Sequence, residues 1–256
     1  MSTQDTKIAL VTGASRGLGR DMAINLAKKG LDLVLTYKSD HQSANKVVSE
    51  IENIGQKAVA LALDVSQQPK YATFFEQVLI PELKARFNTS KFDFLINNAG
   101  TGLSKPFMET TVTEFHELFR VHLEAGYFFT QQALRHMNDH GGIVHITSGL
   151  TRIIYPGSSA YAVMKSALET LTKYQAKELG DRKIRVNAVA PGAIETDFNG
   201  GYVRDNAQVN ARIASLTALG RVGLPTDVGS VVAFLCTDQG QWINAQRIEV
   251  SGGQAI

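Results

Sequence analysis

The sequence predicts an α/β fold of three layers: a doubly wound, mostly parallel sheet of seven strands with helices on both faces. Two observations lead to this prediction. Short apolar and β-branched runs alternate with helix-length segments along the chain, which is the pattern of βαβ units and of a sheet buried on both sides. The glycine-rich segment TGASRGLGR follows the first such run and opens the first helix, as in folds that bind a dinucleotide.

Seven segments are predicted as strands from their apolar and β-branched content. In chain order they are KIALVTG, LDLVLTY, AVALALDV, FDFLINNAG, GGIVHITS, IRVNAVAPG and RIEVSGG. Helices are predicted over 17–29, SANKVVSEIENIG with Gly55 at its end, YATFFEQVLIPELKARF, 113–137 and 158–179. The irregular segment 192–206 follows the sixth strand, where ligands of doubly wound sheets bind, so it is a candidate lid.

Length and composition fit a single domain that spans residues 1–256, with 44% hydrophobic and 20% charged residues. A net charge of +2 without a basic cluster argues against a nucleic-acid partner. No apolar stretch reaches the roughly 18 residues of a membrane span. The polar start MSTQDTK does not resemble a signal peptide, so we expect a cytoplasmic protein. The one cysteine, Cys236, lies in the apolar run VVAFLC and is predicted to be a buried thiol.

Gly13, Gly17 and Gly19 lie at the predicted turn between the first strand and the first helix. A pyrophosphate there requires a tight turn, a bare backbone and helix N–H groups that face the anion. An enzyme for NAD usually carries an acid about 20 residues further on, at the end of the second strand. That position holds Thr36 and Tyr37 instead.

Two cations lie close to this predicted site. Arg16 belongs to the glycine turn, and Lys38 follows the second strand. Arginine grips a phosphate with two parallel hydrogen bonds, and lysine attracts it as a point charge. The sequence therefore predicts NADP(H) as the cofactor, with NAD(H) as the alternative because Asp40 is also near.

Tyr161 and Lys165 lie four residues apart in SSAYAVMKSA and share one face of the predicted helix 158–179. Ser148 lies thirteen residues before Tyr161, at the end of the fifth predicted strand. With TGASRGLG, NNAG, APGAIETD and VSGG, these residues make the chain resemble the short-chain dehydrogenase/reductase family over essentially its whole length. The resemblance implies a Rossmann fold and hydride transfer between a nicotinamide cofactor and a carbonyl or secondary alcohol.

The chemistry of carbonyl reduction explains these residue types. A proton must reach the oxygen, yet a free tyrosine has a pKa of about 10, too high for an efficient acid–base group near neutrality. We predict Tyr161 as the acid/base group, with its pKa lowered by the neighbouring Lys165 ammonium. Ser148 is predicted to hydrogen-bond the substrate oxygen. The resemblance gives Lys165 a second task, binding the nicotinamide ribose.

The resemblance also implies which residues contact the dinucleotide. Asp64 and Val65 are expected at the adenine, and the segment after the sixth strand at the nicotinamide amide and diphosphate. The full set comprises Gly13, Ser15, Arg16, Gly17, Leu18, Gly19, Tyr37, Lys38, Asp64, Val65, Asn97, Ala99, Gly100, Tyr161, Lys165, Pro191, Gly192, Ile194 and Thr196.

One position departs from the family's pattern. The family often carries a catalytic asparagine in the long helix before the fifth strand, where this chain has FRVHLEAG with His122. Phe115, Leu118, Phe119, His122 and Leu123 have the spacing of one helical face, which predicts that the histidine points inward. His122 is therefore a fourth candidate catalytic residue, with a purely structural core position as the alternative.

His136 and His140 have a spacing that metal ligands use on helices, but they fall where the long helix should end, before Gly141. No metal is therefore predicted.

The sequence leaves three functions open. The first is NADP(H)-dependent reduction of a small carbonyl compound, or oxidation of the alcohol, with the substrate bound by 150–156 and 192–206. The second is 3-oxoacyl-carrier-protein reduction in fatty-acid or polyketide synthesis. Carrier proteins are acidic, so cations at the entrance of the site would favour this function. The segment MNDHGG before the fifth strand offers the acidic Asp139 instead of a cation, although Arg182 is available elsewhere. The third is a dinucleotide sensor without catalysis, which would not need Ser148, Tyr161 and Lys165. The resemblance also implies a homotetramer in which helices 113–137 and 158–179 pack between subunits.

Overall fold

The computed structural model describes residues 6–256, in which seven strands form one sheet. The strands are β1 (Ile8–Val11), β2 (Asp32–Tyr37), β3 (Ala58–Ala62), β4 (Phe92–Asn97), β5 (Met137–Ile146), β6 (Arg185–Pro191) and β7 (Arg247–Val250). They lie in the order β3-β2-β1-β4-β5-β6-β7, and every neighbouring pair is parallel. The predicted doubly wound sheet is confirmed, and its winding reverses between β1 and β4, where a ligand crevice forms.

Helices cover both faces of the sheet. They are α1 (Gly17–Lys28), α2 (His41–Ile54), α3 (71–87), α4 (112–133), α5 (Ser159–Glu178), α6 (Tyr202–Asp205), α7 (Ala207–Ser215) and α8 (Pro225–Leu235). Helices α3 and α4 are continuous, but each contains wider π-type turns, over Phe74–Leu79 and Phe119–Phe129. No helix within 6–256 combines the length and the apolar character that crossing a bilayer requires.

Two hydrophobic clusters fill the space between the sheet and its helices. Ala9 and Val11 of β1 face the cluster that contains α1, α2 and α8, whereas Ile8 and Leu10 face the cluster that contains α3 and α4. This alternation follows from the two-residue period of a strand. Cys236 belongs to the first cluster and is 1% exposed, so the predicted buried thiol is confirmed; burial raises its pKa to about 12.

Local signals in the sequence fix several helix ends. The carboxylate of Asp40 accepts a hydrogen bond from the backbone N–H of Ser43 at 2.9 Å, which caps the first turn of α2. Gly55 ends the same helix with φ +102°, a left-handed conformation that favours glycine. Thr111 and Glu114 cap α4 reciprocally through their side chains and backbone N–H groups.

The end of the long helix differs from the sequence prediction. Helix α4 stops at residue 133, and Met137 already pairs with Phe92 as the first residue of β5. The partner of Phe94 is Gly142, so the extra residues between Met137 and Gly142 form a bulge. The segment MNDHGG is therefore part of an irregular strand rather than a loop.

The buried face of α4 also differs in part. His122 and Leu118 are 3% exposed, as the helical spacing predicts, but Phe115 and Phe119 are 38% and 37% exposed. The packed face continues through Phe129, which leaves the two phenylalanines at its edge. The predicted lid 192–206 is not wholly irregular either, because α6 lies within it. Residues 1–5 of the polar segment MSTQDTK lie outside the described part of the chain.

Candidate active site

A cleft of about 1000 Å³ lies beyond the carboxyl ends of β1, β4, β5 and β6. It brings together most of the residues that the sequence analysis singled out. They are Gly13, Ser15, Arg16, Gly17, Leu18, Gly19, Lys38, Asp64, Val65, Ala99, Gly100, His122, Ser148, Tyr161, Lys165, Pro191, Gly192, Ile194 and Thr196. Tyr37 and Asn97 are not among the residues that line this cleft.

Both exceptions have a structural reason. The ring of Tyr37 lies 5.6 Å from the ring of His41, at the start of α2. Asn97 turns into the interior, where its Nδ2 donates to Thr130 Oγ1 at 2.9 Å. Its neighbour Asn98 lines the cleft instead and donates to the carbonyls of Thr12 and Gly13 at 2.8 and 3.1 Å. Successive residues of a strand point to opposite faces, and the motif NNAG alone does not show which asparagine faces the ligand.

The glycine turn has the geometry of a phosphate cradle. Gly13 and Gly17 have φ values of +66° and +55°, which strain any other residue. A Cβ atom on Gly19 would lie 2.2 Å from the carbonyl oxygen of Gly13. The backbone at the amino end of α1 is therefore bare and faces the cleft, where helix N–H groups bind an anion. These residues fit the diphosphate of a dinucleotide.

The far end of the cleft, beyond β2 and β3, carries the two predicted cations. Lys38 Nζ lies 3.0 Å from Asp64 Oδ2, whereas the guanidinium of Arg16 makes no ion pair within residues 6–256. Burial would raise the pKa of Asp64, but hydrogen bonds from Ser66 and Lys38 outweigh it and keep the pKa below its usual value. Asp40 is engaged in capping α2. A 2′-phosphate thus fits this end better than a bare ribose does.

The opposite end holds Ser148, Tyr161 and Lys165. Lys165 is 4% exposed, and its Nζ lies 5.6 Å from the centre of the Tyr161 ring. The same nitrogen donates to the carbonyl of Ile146 at 2.7 Å. Ser148 follows β5 and accepts a hydrogen bond from the N–H of Leu150 at 3.2 Å. The fold thereby brings the end of β5 against the first turns of α5.

The expected lowering of the tyrosine pKa is wrong. Burial raises the pKa of Tyr161 to about 12, and the Ser148 hydroxyl acts in the opposite direction without reversing the shift. Burial likewise lowers the pKa of Lys165 to about 7. Near neutrality the phenol therefore keeps its proton, which suits it to give that proton to a carbonyl oxygen.

His122 is a neutral imidazole with a defined tautomer. Its Nε2 lies 2.7 Å from the carbonyl oxygen of Thr101 and must carry the hydrogen, because a carbonyl only accepts. Burial, and then the charge of Lys165, hold the pKa of His122 well below its usual value. Nδ1 is left as an acceptor that is buried and has no hydrogen-bond partner among the described residues.

A second, much smaller cavity lies next to the end of the cleft that holds Tyr161 and Lys165. Its volume of about 10 Å³ is close to that needed for one water molecule. His122, Lys165 and Asn97 contribute to its lining. His122 and the buried lysine thus line the same small space.

The substrate side of the cleft is mostly apolar and aromatic. Phe198 of the segment 192–206 lies 6.1 Å from the Tyr161 ring, measured between ring centres. The side chain of Asn199 packs so closely on Gly102 that a Cβ there would meet its Oδ1 at 2.0 Å. Further lining residues on this side are Leu103, Leu150, Ile153, Tyr155, Tyr202, Val203, Val209 and Ile213.

Sequence reasoning missed Gln254, which also lines the cleft. Its Oε1 accepts a hydrogen bond from the N–H of Ala193 at 2.9 Å. The two residues are 61 positions apart, so no local motif signals the contact.

Residues 13–255 match the protein family described as Enoyl-(Acyl carrier protein) reductase. The hydroxynaphthalene reductase-like protein Arp2 of Metarhizium brunneum (strain ARSEF 3297) is 36% identical over 258 residues, which cover 96% of this chain and 94% of that protein.

Two solved structures are similar over almost their full length. The promiscuous reductase LugOII, which catalyses keto-reduction at C1 during lugdunomycin biosynthesis, is 36% identical, with a TM-score of 0.92 over 99% of this chain and 100% of that one. The angucycline C-6 ketoreductase LanV with bound NADP is 34% identical, with a TM-score of 0.92 over 98% and 96% of the two chains.

Proposed function

The chain belongs to the short-chain dehydrogenase/reductase family, and we propose that it reduces a ketone of a polycyclic aromatic, polyketide-type substrate with NADPH. It is an NADP(H)-dependent oxidoreductase that acts on carbonyl compounds. The finer assignment rests on the relatives, whose names refer to hydroxynaphthalene, lugdunomycin and angucycline chemistry. The enzyme is proposed to form one domain over residues 1–256.

One observation supports the proposal above all others: the aromatic side chains flank the proposed acid directly. The ring of Phe198 lies 6.1 Å from that of Tyr161, and Tyr155 and Tyr202 line the same part of the cleft. Aromatic rings stack on flat aromatic ligands at separations of this size. A fused-ring ketone would therefore place its carbonyl next to Tyr161 while its other rings contact these walls.

NADPH, when bound, supplies the hydride. Tyr161 gives its hydroxyl proton to the carbonyl oxygen, and Ser148 donates a hydrogen bond to the same oxygen as charge develops there. Lys165 is proposed to bind the nicotinamide ribose and, with its charge, to favour departure of the proton from Tyr161. His122 is proposed to complete the set through its Nδ1, which accepts a hydrogen bond from a water molecule in the small cavity beside Lys165.

The cofactor-binding residues divide along the cleft. The glycine turn with Ser15 and Leu18 would hold the diphosphate, and Arg16 with Lys38 the 2′-phosphate. Asp64 and Val65 would contact the adenine, with Ala99 and Gly100 beside the dinucleotide. Pro191, Gly192, Ile194 and Thr196 would contact the nicotinamide end.

Reduction of a carrier-bound 3-oxoacyl group has less support. Arg182, the cation that would attract an acidic carrier protein, pairs with Asp139 at 2.8 Å and donates to the carbonyls of Leu134 and Met137. The charge of Arg182 is therefore largely neutralised within the fold and offers little attraction to a carrier protein. The sensor alternative is set aside because the chain is an enzyme.

The proposed assembly is a cytoplasmic homotetramer that buries α4 and α5. Both helices expose apolar side chains in the isolated chain, among them Phe115, Phe119 and Tyr127 of α4 and Val163 and Tyr174 of α5. Patches of this kind mark interfaces.

A ketone panel at fixed NADPH tests the proposed function. We expect a hydroxylated tetralone to be reduced with a kcat/KM at least about tenfold above that of an acetoacetyl thioester of pantetheine or of a carrier protein. The Phe198→Ala variant should lose most of this preference, whereas Phe234→Ala, a partly exposed phenylalanine of α8 outside the cleft, should keep it. A strong preference for the thioesters would refute the assignment.

A further inference from the structure

Gln254 is a buried polar residue that reaches into the cleft from the segment after β7. It is 6% exposed, and its Oε1 accepts the N–H of Ala193 at 2.9 Å. The same oxygen lies against Gly192, where a Cβ atom would come within 2.8 Å of it. The N–H of Gly192 donates to the carbonyl of Val250 at 3.0 Å. Hydrogen bonds from two consecutive N–H groups, those of Gly192 and Ala193, thus fix the backbone that follows β6.

Gln254 itself is fixed by Arg152. The guanidinium donates to the carbonyls of Gln254 and Ala255 at 2.7 and 3.0 Å. It also donates through Nε to Glu249 of β7 at 2.8 Å. Because Arg152 lies just after Ser148 in the chain, it ties the serine segment to the segment that carries Gln254.

A second arginine strengthens this connection. Arg247 of β7 donates to Glu169 of α5 at 2.8 Å and to Thr151 Oγ1 at 3.1 Å. It also donates to Glu249 at 2.9 Å, so the two arginines share one carboxylate. The Ser148 segment, helix α5 and the segment after β7 are therefore held in one charged network, from which Gln254 extends to the Gly192 backbone.

We propose that Gln254 is a positioning residue for the nicotinamide end of NADP(H). It acts through the backbone of Gly192 and Ala193, because it fixes the position of that backbone relative to Ser148. Without the amide oxygen of Gln254, the N–H of Ala193 would lose its partner in a partly buried place, which favours a shift of the segment. This inference rests on the proposed function, which places the nicotinamide at Gly192.

The test compares two ligands that differ only at the nicotinamide. NADP⁺ and 2′-phospho-ADP-ribose are titrated by calorimetry into the full-length protein. Gln254→Leu keeps a side chain of similar bulk but removes the acceptor, so it should weaken NADP⁺ about tenfold and leave 2′-phospho-ADP-ribose unchanged. Gln254→Glu retains an acceptor oxygen and should bind NADP⁺ within about twofold of wild type. Gln254→Asn moves the acceptor oxygen back by one methylene and should also weaken NADP⁺ without affecting 2′-phospho-ADP-ribose. It takes the place of Gln254→Leu in the test if the leucine variant does not fold.

Arg16→Ala is the matched control, since it should weaken both ligands through the 2′-phosphate. Wild-type affinity of Gln254→Leu and Gln254→Asn for NADP⁺ would overturn the positioning role. So would an equal loss for both ligands, which indicates a general structural defect. If the wild-type protein bound neither ligand, the proposed function would fail, and this inference with it.

Discussion

The ring of His122 lies edge-on to the ring of Tyr161, with ring centres 5.2 Å apart and planes at 88°. The imidazole also packs under Gly100, where a Cβ atom would come within 2.8 Å of its Cε1. Its Nε2–H donates to the carbonyl of Thr101, and the His122 side chain lines the small cavity that Lys165 also lines. His122 therefore packs against the ring of the proposed acid Tyr161. Its Nδ1 is an acceptor without a hydrogen-bond partner among the described residues.

This arrangement predicts different outcomes for two substitutions of His122. Asparagine offers both a donor and an acceptor and should keep kcat within roughly fivefold of wild type. Leucine fills the volume but leaves the Thr101 carbonyl and the cavity without a polar partner, so kcat should fall at least about tenfold. Steady-state reduction rates, with Tm values alongside, decide between them. A leucine variant that turns over like wild type would show that the position serves packing alone.

Tyr161→Phe should bind NADPH as wild type does yet lose carbonyl reduction by roughly 10²-fold or more, because a general acid contributes about this much. Tyr155→Phe is the matched control, since it removes another hydroxyl from the cleft wall without touching the proposed acid. Fluorescence titration of NADPH and initial rates give the two readouts. Unchanged turnover in Tyr161→Phe would contradict the proposed role.

Removal of both cations at the adenosine end should change cofactor preference. Arg16→Ala combined with Lys38→Ala is expected to raise the KM for NADPH at least about tenfold and to leave that for NADH nearly unchanged, because only NADPH carries the 2′-phosphate. Arg20→Ala, whose side chain pairs with Glu50 outside the cleft, should leave both values unaltered. Equal losses for the two cofactors would count against NADP(H) selection at this site.

The buried Lys165 predicts how stability depends on pH. Burial lowers its pKa from 10.5 to about 7, so between these values the unfolded chain binds this proton and the folded chain does not. The buried lysine therefore lowers the free energy of unfolding. This destabilisation is complete below pH 7, shrinks as the pH rises and is absent above pH 10.5. Lys165→Met should raise Tm most at pH 6–7, with the gain shrinking toward pH 10. Lys177→Met, on the exposed side of the same helix, should show no such trend, and a gain that grew with pH would contradict the assignment.

The sequence by itself determined the layered architecture and most of the cleft. Strand and helix periods are local, as are the caps at Asp40 and Gly55, so the order of elements could be predicted without tertiary information. In a parallel sheet the carboxyl ends of the strands meet at one edge, which brings Gly13, Ser148 and Pro191 together once that order is known.

Tertiary contacts decided what local patterns leave open. Pairing with Phe92 draws Met137 into β5, where the apolar period alone extends the helix. The face on which each asparagine of NNAG points depends on the partners of Asn97 in α4 and β5. The pKa of Tyr161 follows from how deeply the fold buries the phenol, which outweighs the opposite effect of the Ser148 hydroxyl. Gln254 contacts Ala193 across 61 residues, so only the folded chain reveals this contact. Burial and long-range hydrogen bonds are properties of the packed molecule and not of any short segment.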